Sequence, residues 1–267
     1  MTSPPAHLWC VAVAAFWGAQ VAHAQATLLS DVRRTSASAS AGSTTHSDAA
    51  VPSPPFSPFA PAPLLVQATS GTTSTAASAS QSSTASPSRF TASGSASASG
   101  VRDAGDPGNA QSSSSFFVSF RLASPTWITL DASLSMGQVS KAQLLLQGAA
   151  GQISFIRDAQ SPQPVSLHTL LPPGDYTLVA FAAANVSLFP GSSLADGCTF
   201  SLEASLNAPC PADFDRDGFV DFFDFDAFVA CFEGDTCPPG SNADFDADGF
   251  VDFFDFDAFV NAFESAC

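Results

Sequence analysis

Two segments near the end of the chain space their aspartates as a calcium-binding loop does. Both follow the pattern Asp-x-Asp-x-Asp-Gly-x-x-Asp-x-x-Asp. Ca²⁺ takes about six to eight oxygen ligands, which such a loop supplies from alternate side chains, from the backbone carbonyl of position 7 and from the carboxylate of position 12. The sequence therefore predicts two Ca²⁺ sites, and their ligands are Asp213, Asp215, Asp217, Phe219, Asp221 and Asp224 in the first loop and Asp244, Asp246, Asp248, Phe250, Asp252 and Asp255 in the second.

Glycine stands at position 6 of each loop, as Gly218 and Gly249. A residue without Cβ readily adopts the positive φ that a sharp turn around an ion requires. Mg²⁺ fits this pattern less well, because it dehydrates reluctantly and demands a stricter octahedral geometry. Ca²⁺ is therefore the predicted ion.

The loops belong to an internal repeat of period 31, in which Asp213–Glu233 and Asp244–Glu264 match at 18 of 21 positions. After each loop, apolar residues recur at the i, i+3, i+4, i+7 spacing of one helical face. We expect two helices whose apolar faces pack on each other and form a small core. The residues of these faces are Phe225, Phe228, Val229 and Phe232 in the first copy and Phe256, Phe259, Val260 and Phe263 in the second.

With these residues, the end of the chain resembles a type I dockerin, in which a calcium loop and its exit helix are duplicated. Neither loop has room before it for the entering helix of an EF-hand, since only Cys210, Pro211 and Ala212 precede the first. More narrowly, the segment resembles the GC-type dockerin-like tails of secreted bacterial proteins. Those tails end in Gly-Cys, whereas Ala266 precedes Cys267 here, which leaves an attachment role of that cysteine open. The resemblance covers Cys210 to Cys267.

The resemblance implies a module that docks onto cohesin domains in polysaccharide-degrading assemblies, so the expected partner is a cohesin-like protein or a component of the cell envelope. In dockerins, loop positions 10 and 11 help to select the partner, and here both positions are phenylalanine in both copies. Phe222 and Phe253 fit the internal helical face. Phe223 and Phe254 fall on another side of the helices, so we predict that they form a partner-binding surface. Packing of these two inside the core is the alternative.

Charge is concentrated in the same region. From Cys210 onward the chain has fifteen acidic residues and one basic residue, Arg216, whereas everything upstream has a net charge of −2. A segment this acidic repels nucleic acid and anionic membranes. Its fourteen phenylalanines argue against a disordered tail.

The beginning of the chain predicts export. Leu8 to Ala19 is apolar but too short to cross a bilayer, and Ala22-His23-Ala24 is a small-x-small cleavage signal. We therefore expect a signal peptide over residues 1–24, a secreted or surface-associated protein, and no transmembrane segment.

Export exposes the cysteines to oxidising conditions, so disulfides are expected. We predict one disulfide between Cys231 and Cys237, which are six apart across the turn after the first helix. A second, between Cys210 and Cys267, would join the two ends of the module. Cys198 is then the unpaired thiol, in a turn before the last predicted strand.

The region between signal peptide and module predicts a mainly β protein. Residues 115–207 contain short alternating runs separated by turn residues, which favours an antiparallel β-sandwich. Residues 25–114 are rich in Ser, Ala, Thr and Pro, and two readings stay open there. Segments such as Ser36–Ala41 and Ser95–Ser99 alternate with the period of a strand, but the composition also fits a disordered linker. A small all-α dockerin-like module over 208–267 completes the expected organisation.

No catalytic motif such as G-x-S-x-G or H-E-x-x-H occurs in the chain, so we expect a non-enzymatic protein. One rival hypothesis is a carbohydrate-active enzyme with two carboxylates in a cleft of the sandwich. Another is a carbohydrate-binding sandwich, which would require Trp127 and Tyr176 to be exposed on one face.

Overall fold

The computed structural model describes residues 26–52, 54–148, 151–157 and 163–265. They form two antiparallel sheets followed by two helices, so the predicted fold class is confirmed. The chain divides into two compact units, whose described parts are residues 26–209 and 210–265. The predicted signal peptide and Cys267 lie outside the described residues.

The first unit is a β-sandwich. Its strands are β1 Thr27–Asp31, β2 Arg34–Ala41, β3 Thr44–Ala50, β4 Leu64–Ser70, β5 Thr73–Ala85, β6 Arg89–Arg102, β7 Gly108–Leu122, β8 Thr126–Met136, β9 Lys141–Gly148, β10 Gly151–Arg157, β11 Gln163–Leu171, β12 Gly174–Leu188 and β13 Ser192–Asn207. One sheet has the strand order β10-β9-β12-β7-β2-β3, with β1 also paired to β7, and the other has the order β11-β8-β13-β6-β5-β4. All pairings between neighbouring strands are antiparallel.

The Ser/Ala-rich segments are strands of this sandwich. In β2, β5 and β6, most alanines point inward and are buried, while most of the intervening serines face outward. Outward hydroxyls pair across strands, as between Ser78 and Ser97 at 2.7 Å. The Ser/Ala-rich segments are therefore folded as strands and are not a disordered linker. The sandwich has no boundary at residue 115, because β7 runs through that position.

Small side chains let the two sheets approach closely in this half of the sandwich. The hydroxyl of Ser112 in β7 donates to the backbone carbonyl of Ser97 in β6, at 2.9 Å, and Thr75 in β5 donates to the carbonyl of Ser40 in β2, at 3.0 Å. A side chain of one sheet therefore reaches the backbone of the other. The opposite half is filled by large side chains, among them Phe90, Phe116, Phe120, Ile128, Leu130 and Leu134.

Cys198 lies within β13 and not in the turn where the sequence placed it. Its thiol is buried, is free as predicted, and donates to the carbonyls of Lys141 and Ala183, both at 3.3 Å. Burial raises the pKa of this thiol. A high pKa keeps the reactive thiolate scarce at neutral pH, so Cys198 is an inert core residue.

The second unit is built on α1 (Phe222–Phe232) and α2 (Phe253–Ser265), whose predicted apolar faces pack on each other. Phe225 near the start of α1 contacts Phe263 near the end of α2, with ring centroids 5.9 Å apart, so the helices are antiparallel. The rings of Phe228 and Phe259 stack at 4.0 Å at the centre of the pair.

The aromatic core obeys the symmetry of the repeat. Exchange of the two copies turns the contact of Phe214 with Phe228 into that of Phe245 with Phe259, and the centroid distances are 5.3 and 5.4 Å. The cross-contacts of Phe214 with Phe259 and of Phe245 with Phe228 are both 6.0 Å long. Two nearly identical sequences thus fold into two nearly identical, mutually packed halves.

One of the two predicted disulfides is present in full among the described residues. Cys231 and Cys237 are bonded, with their Cα atoms 4.6 Å apart. Cys210 also belongs to a disulfide. In the part of the chain that the structure describes, no helix is long and apolar enough to span a membrane.

The close approach of the sheets yields a stability prediction. A Cβ on Gly94 would clash with the hydroxyl of Ser114 and would lie 2.5 Å from Cε1 of Phe200. We expect Gly94→Ala to destabilise the sandwich by about 1–3 kcal/mol, because overpacking forces neighbouring strands apart. Urea unfolding measures this, with Ser93→Ala as the control on the exposed face of β6, expected within about 0.5 kcal/mol of the parent. Equal stability of both variants would contradict the close packing.

Candidate metal centre

Each loop of the second unit brings three predicted ligands together. Carboxylate oxygens of Asp213, Asp215 and Asp217 lie within 4.8 Å of one another in the first loop. In the second loop the group consists of Asp244, Asp246 and Asp255. Both groups lie within the range over which carboxylates share one cation. The other predicted ligands lie in the same two loops, and their coordination stays a prediction.

Backbone N–H groups hold these carboxylates in place, and most of their hydrogen bonds recur in both loops. Six hydrogen bonds recur in the two copies, and the lengths of equivalent bonds agree within 0.1 Å. The N–H of Gly218 donates to Asp213, for example, as that of Gly249 donates to Asp244. The loop is thus wrapped around its own side chains, and their positions are defined by the backbone.

The position-12 aspartates connect each loop to its helix. Asp224 accepts one hydrogen bond from the N–H of Asp215 in the loop, at 3.0 Å, and another from the N–H of Asp221 at the helix start, at 2.8 Å. The side chain of Asp221 in turn accepts from the N–H of Phe223, and Asp221 and Asp224 together form a capping box on α1. Both Asp224 and Asp255 are 1% exposed.

Two residues of each loop have positive φ, and one of them was not predicted. Gly218 and Gly249 at position 6 have φ of 95°, as their residue type indicates. At position 4, Arg216 has φ of 64° and Ala247 has φ of 60°. The left-handed conformation costs a residue with a Cβ about 1–2 kcal/mol. Neither arginine nor alanine signals such a position, so the sequence offered no sign of it.

The loop carboxylates are electrostatically strained. Burial, and then the charges of Asp224, Asp217 and Asp215, raise the pKa of Asp213. Asp255 behaves in the opposite way, since the hydrogen bond from the N–H of Asp252 lowers its pKa, with further donation from Asp246 and Phe245. Asp255 is thus an anionic anchor of the second loop, whereas Asp213 in the first loop is a carboxylate that a bound cation would stabilise.

A second observation, which does not depend on the sequence pattern, also indicates that the residues fit a calcium ion. Oδ1 of Asp244 is buried and has no hydrogen-bond partner among the described residues, although Oδ2 accepts from Gly249 at 3.1 Å. A buried carboxylate oxygen without a partner is costly. This oxygen belongs to the group formed by Asp244, Asp246 and Asp255. Carboxylate oxygens are hard donors, which Ca²⁺ prefers.

The phenylalanines of the loops are exposed. Phe222 and Phe253 are 78% and 75% exposed, so their predicted place on the internal face is wrong. Phe223 and Phe254 are 70% and 71% exposed, so the alternative that they pack inside is wrong too. The reason is that α1 and α2 begin at Phe222 and Phe253, at the very ends of the helix pair, where little opposing surface covers them. Their role in partner binding stays a prediction.

Position 7 adds a feature that the sequence analysis overlooked. Phe219 and Phe250 were considered only for their backbone carbonyls, but their side chains are 69% and 71% exposed. Three exposed phenylalanines in each copy form what we call the Phe clusters, which are Phe219, Phe222 and Phe223 in the first copy and Phe250, Phe253 and Phe254 in the second. The sequence signal for this exposed surface was a large apolar residue at a position that supplies only its backbone carbonyl to the ion.

Comparison with known proteins adds no assignment: the chain matches no family model and no curated protein.

The hydrogen bonding of position 12 predicts the effect of its removal. Asp255→Ala leaves the N–H groups of Phe245, Asp246 and Asp252 without their acceptor, so we expect the second unit to lose at least about 2 kcal/mol of stability. Urea unfolding in saturating calcium, followed by the helical circular-dichroism signal, measures this loss. Asp255→Asn keeps one oxygen acceptor and should lose less. Asp257→Ala, an exposed neighbour on α2, is the control and should change little.

Proposed function

We propose that this chain is an exported, non-enzymatic protein whose C-terminal unit binds two Ca²⁺ ions and thereby docks a protein partner, as dockerins do. The observation that supports this most is the convergence of three predicted ligands in each loop, with matching hydrogen bonds in two loops of almost identical sequence. In this proposal, Asp213, Asp215, Asp217, Asp221 and Asp224 hold one ion, and Asp244, Asp246, Asp248, Asp252 and Asp255 hold the other. Bound calcium supplies positive charge that offsets the repulsion among these carboxylates.

The Phe clusters support a docking role. Large apolar side chains that are more than two-thirds exposed in a small unit mark an interaction surface. They occupy positions 7, 10 and 11 of the calcium loops, so the ion that orders a loop also orders its cluster. The partner in this proposal is a protein of the cohesin type or of the cell envelope.

The symmetry of the unit favours docking in either of two orientations. Phe222 contacts Phe263 at 6.5 Å, and Phe253 lies ten residues before Phe263 in α2, so the two clusters are about 15 Å apart along the helices. A standard protein interface covers about 800 Å² on each side, so a partner centred on one cluster would overlap with a partner centred on the other. One bound partner therefore excludes a second, and either cluster is an equivalent place for it to begin.

The rival hypotheses for the sandwich gain no support from the geometry. Tyr176 is 2% exposed and donates its hydroxyl to the carbonyl of Pro172, so it does not form an exposed aromatic surface with Trp127. Asp131 and Glu203 lie opposite each other on β8 and β13, but Glu203 is 58% exposed and paired with Arg89 at 2.6 Å. Neither arrangement is a cleft with a paired acid and base.

Calcium titration tests the metal sites. We expect the full chain to bind two Ca²⁺ ions in isothermal calorimetry and to gain helical signal as it binds, because ligand carboxylates that repel one another oppose compaction without metal. Asp213→Ala and Asp244→Ala should each remove one site, whereas Asp235→Ala, outside both loops, should keep two. The metal assignment fails if no calcium heat is seen, or if the helical signal is indifferent to a chelator.

Alanine substitution of the Phe clusters tests symmetric docking. Phe223→Ala or Phe254→Ala alone should weaken capture of envelope proteins only about twofold, because the other orientation remains available. The double variant should lose far more than the sum of the two single losses. Quantitative pull-downs with and without calcium measure this, and circular dichroism verifies that each variant is folded. Abolition of capture by either single change would exclude the two-orientation scheme.

A further inference from the structure

The Phe clusters are accompanied by carboxylates that the calcium loops do not use. Asp226 lies four residues after Phe222 and three after Phe223 in α1, which places it on the same side of the helix. Asp257 has the same relation to Phe253 and Phe254 in α2. Both aspartates are exposed. Within the described residues, neither makes a hydrogen bond or an ion pair.

No cation of the unit itself is available to these carboxylates. Arg216 is the single basic residue from Cys210 onward. Its guanidinium donates to the carbonyl of Gly240, which ties the first loop to the segment before the second. Each copy therefore presents apolar rings beside an unmatched negative charge.

The exposed rings and the unpaired carboxylate together restrict which kind of partner surface can cover them. A second copy of this unit would bring the same carboxylates against each other, and an anionic surface would meet the same repulsion. A surface of only apolar groups would bury Asp226 or Asp257 without a counter-ion, which is strongly unfavourable. The complementary surface carries cations among its apolar side chains.

We propose that the docking partner presents arginine side chains within an apolar helical or strand surface, and that each arginine lies on a ring of a Phe cluster while its guanidinium pairs with Asp226 or Asp257. Arginine suits this place better than lysine, because its planar group stacks on aromatic faces and binds carboxylates with two parallel hydrogen bonds. This inference rests on the proposed docking function and specifies the chemical class of its partner.

Three synthetic amphipathic helical peptides provide the probe. They share one leucine face and differ only in a polar face of arginine, lysine or glutamate. Fluorescence anisotropy with the full-length protein in saturating calcium gives their dissociation constants. We expect the arginine peptide to bind most tightly, the lysine peptide more weakly, and the glutamate peptide not at all.

Charge variants separate the specific contact from general attraction to an acidic unit. The double variant Asp226→Asn/Asp257→Asn removes the carboxylate beside each Phe cluster. It should weaken binding of the arginine peptide about tenfold, a loss typical of a charge-assisted pair. Asp226→Asn/Asp235→Asn has the same net charge but leaves the second cluster intact, so it should weaken binding only about twofold. Equal weakening in the two variants, or equal binding of the arginine and glutamate peptides, would overturn the inference.

Calcium measurements on the same samples separate this inference from the proposed function. If two Ca²⁺ ions bind and the arginine peptide does not, the partner chemistry is wrong while the metal assignment stands. If the arginine peptide binds with the expected variant pattern but equally in chelator, the partner chemistry stands and calcium-dependent docking is wrong.

Discussion

Repulsion among carboxylates is the constraint on which the C-terminal unit depends. Fifteen acidic residues and one arginine share fewer than sixty positions. The fold offsets part of this repulsion with backbone N–H groups, which donate to the loop aspartates in the same way in both copies. What the backbone leaves unmatched, such as Oδ1 of Asp244, is the part that a cation would satisfy.

The aromatic core gives the loops a fixed frame. Phe228 and Phe259 stack at the centre of the helix pair, and the remaining core rings surround them in symmetric contacts. Position 12 attaches each loop to this frame, because Asp224 and Asp255 bind both the loop backbone and the first turn of the helix. Changes in a loop are thereby passed to the helix start, which is where the exposed phenylalanines lie.

The sandwich solves a different packing problem. Its Ser/Ala half has little apolar volume with which to fill a core, so the sheets come close enough for Ser112 and Thr75 to bond to the opposite backbone. Position 94 requires glycine for the same reason, since a methyl group there would clash with Ser114 and Phe200. Buried alanine, inter-sheet hydrogen bonds and glycine together replace the large side chains of an ordinary core.

The sequence by itself determined the features that local spacing encodes: the aspartate loops, the helical faces around Phe228 and Phe259, the Cys231–Cys237 disulfide and the alternation of the strands. Only the tertiary structure decided what depends on distant neighbours. Whether the Ser/Ala segments are strands depends on an opposing sheet that accepts small side chains, and composition cannot show that sheet. The exposure of Phe222 and Phe253 follows from where the antiparallel partner helix ends. The positive φ of Arg216 and Ala247 arises from closure of the whole loop, which overrides the preference of a single residue.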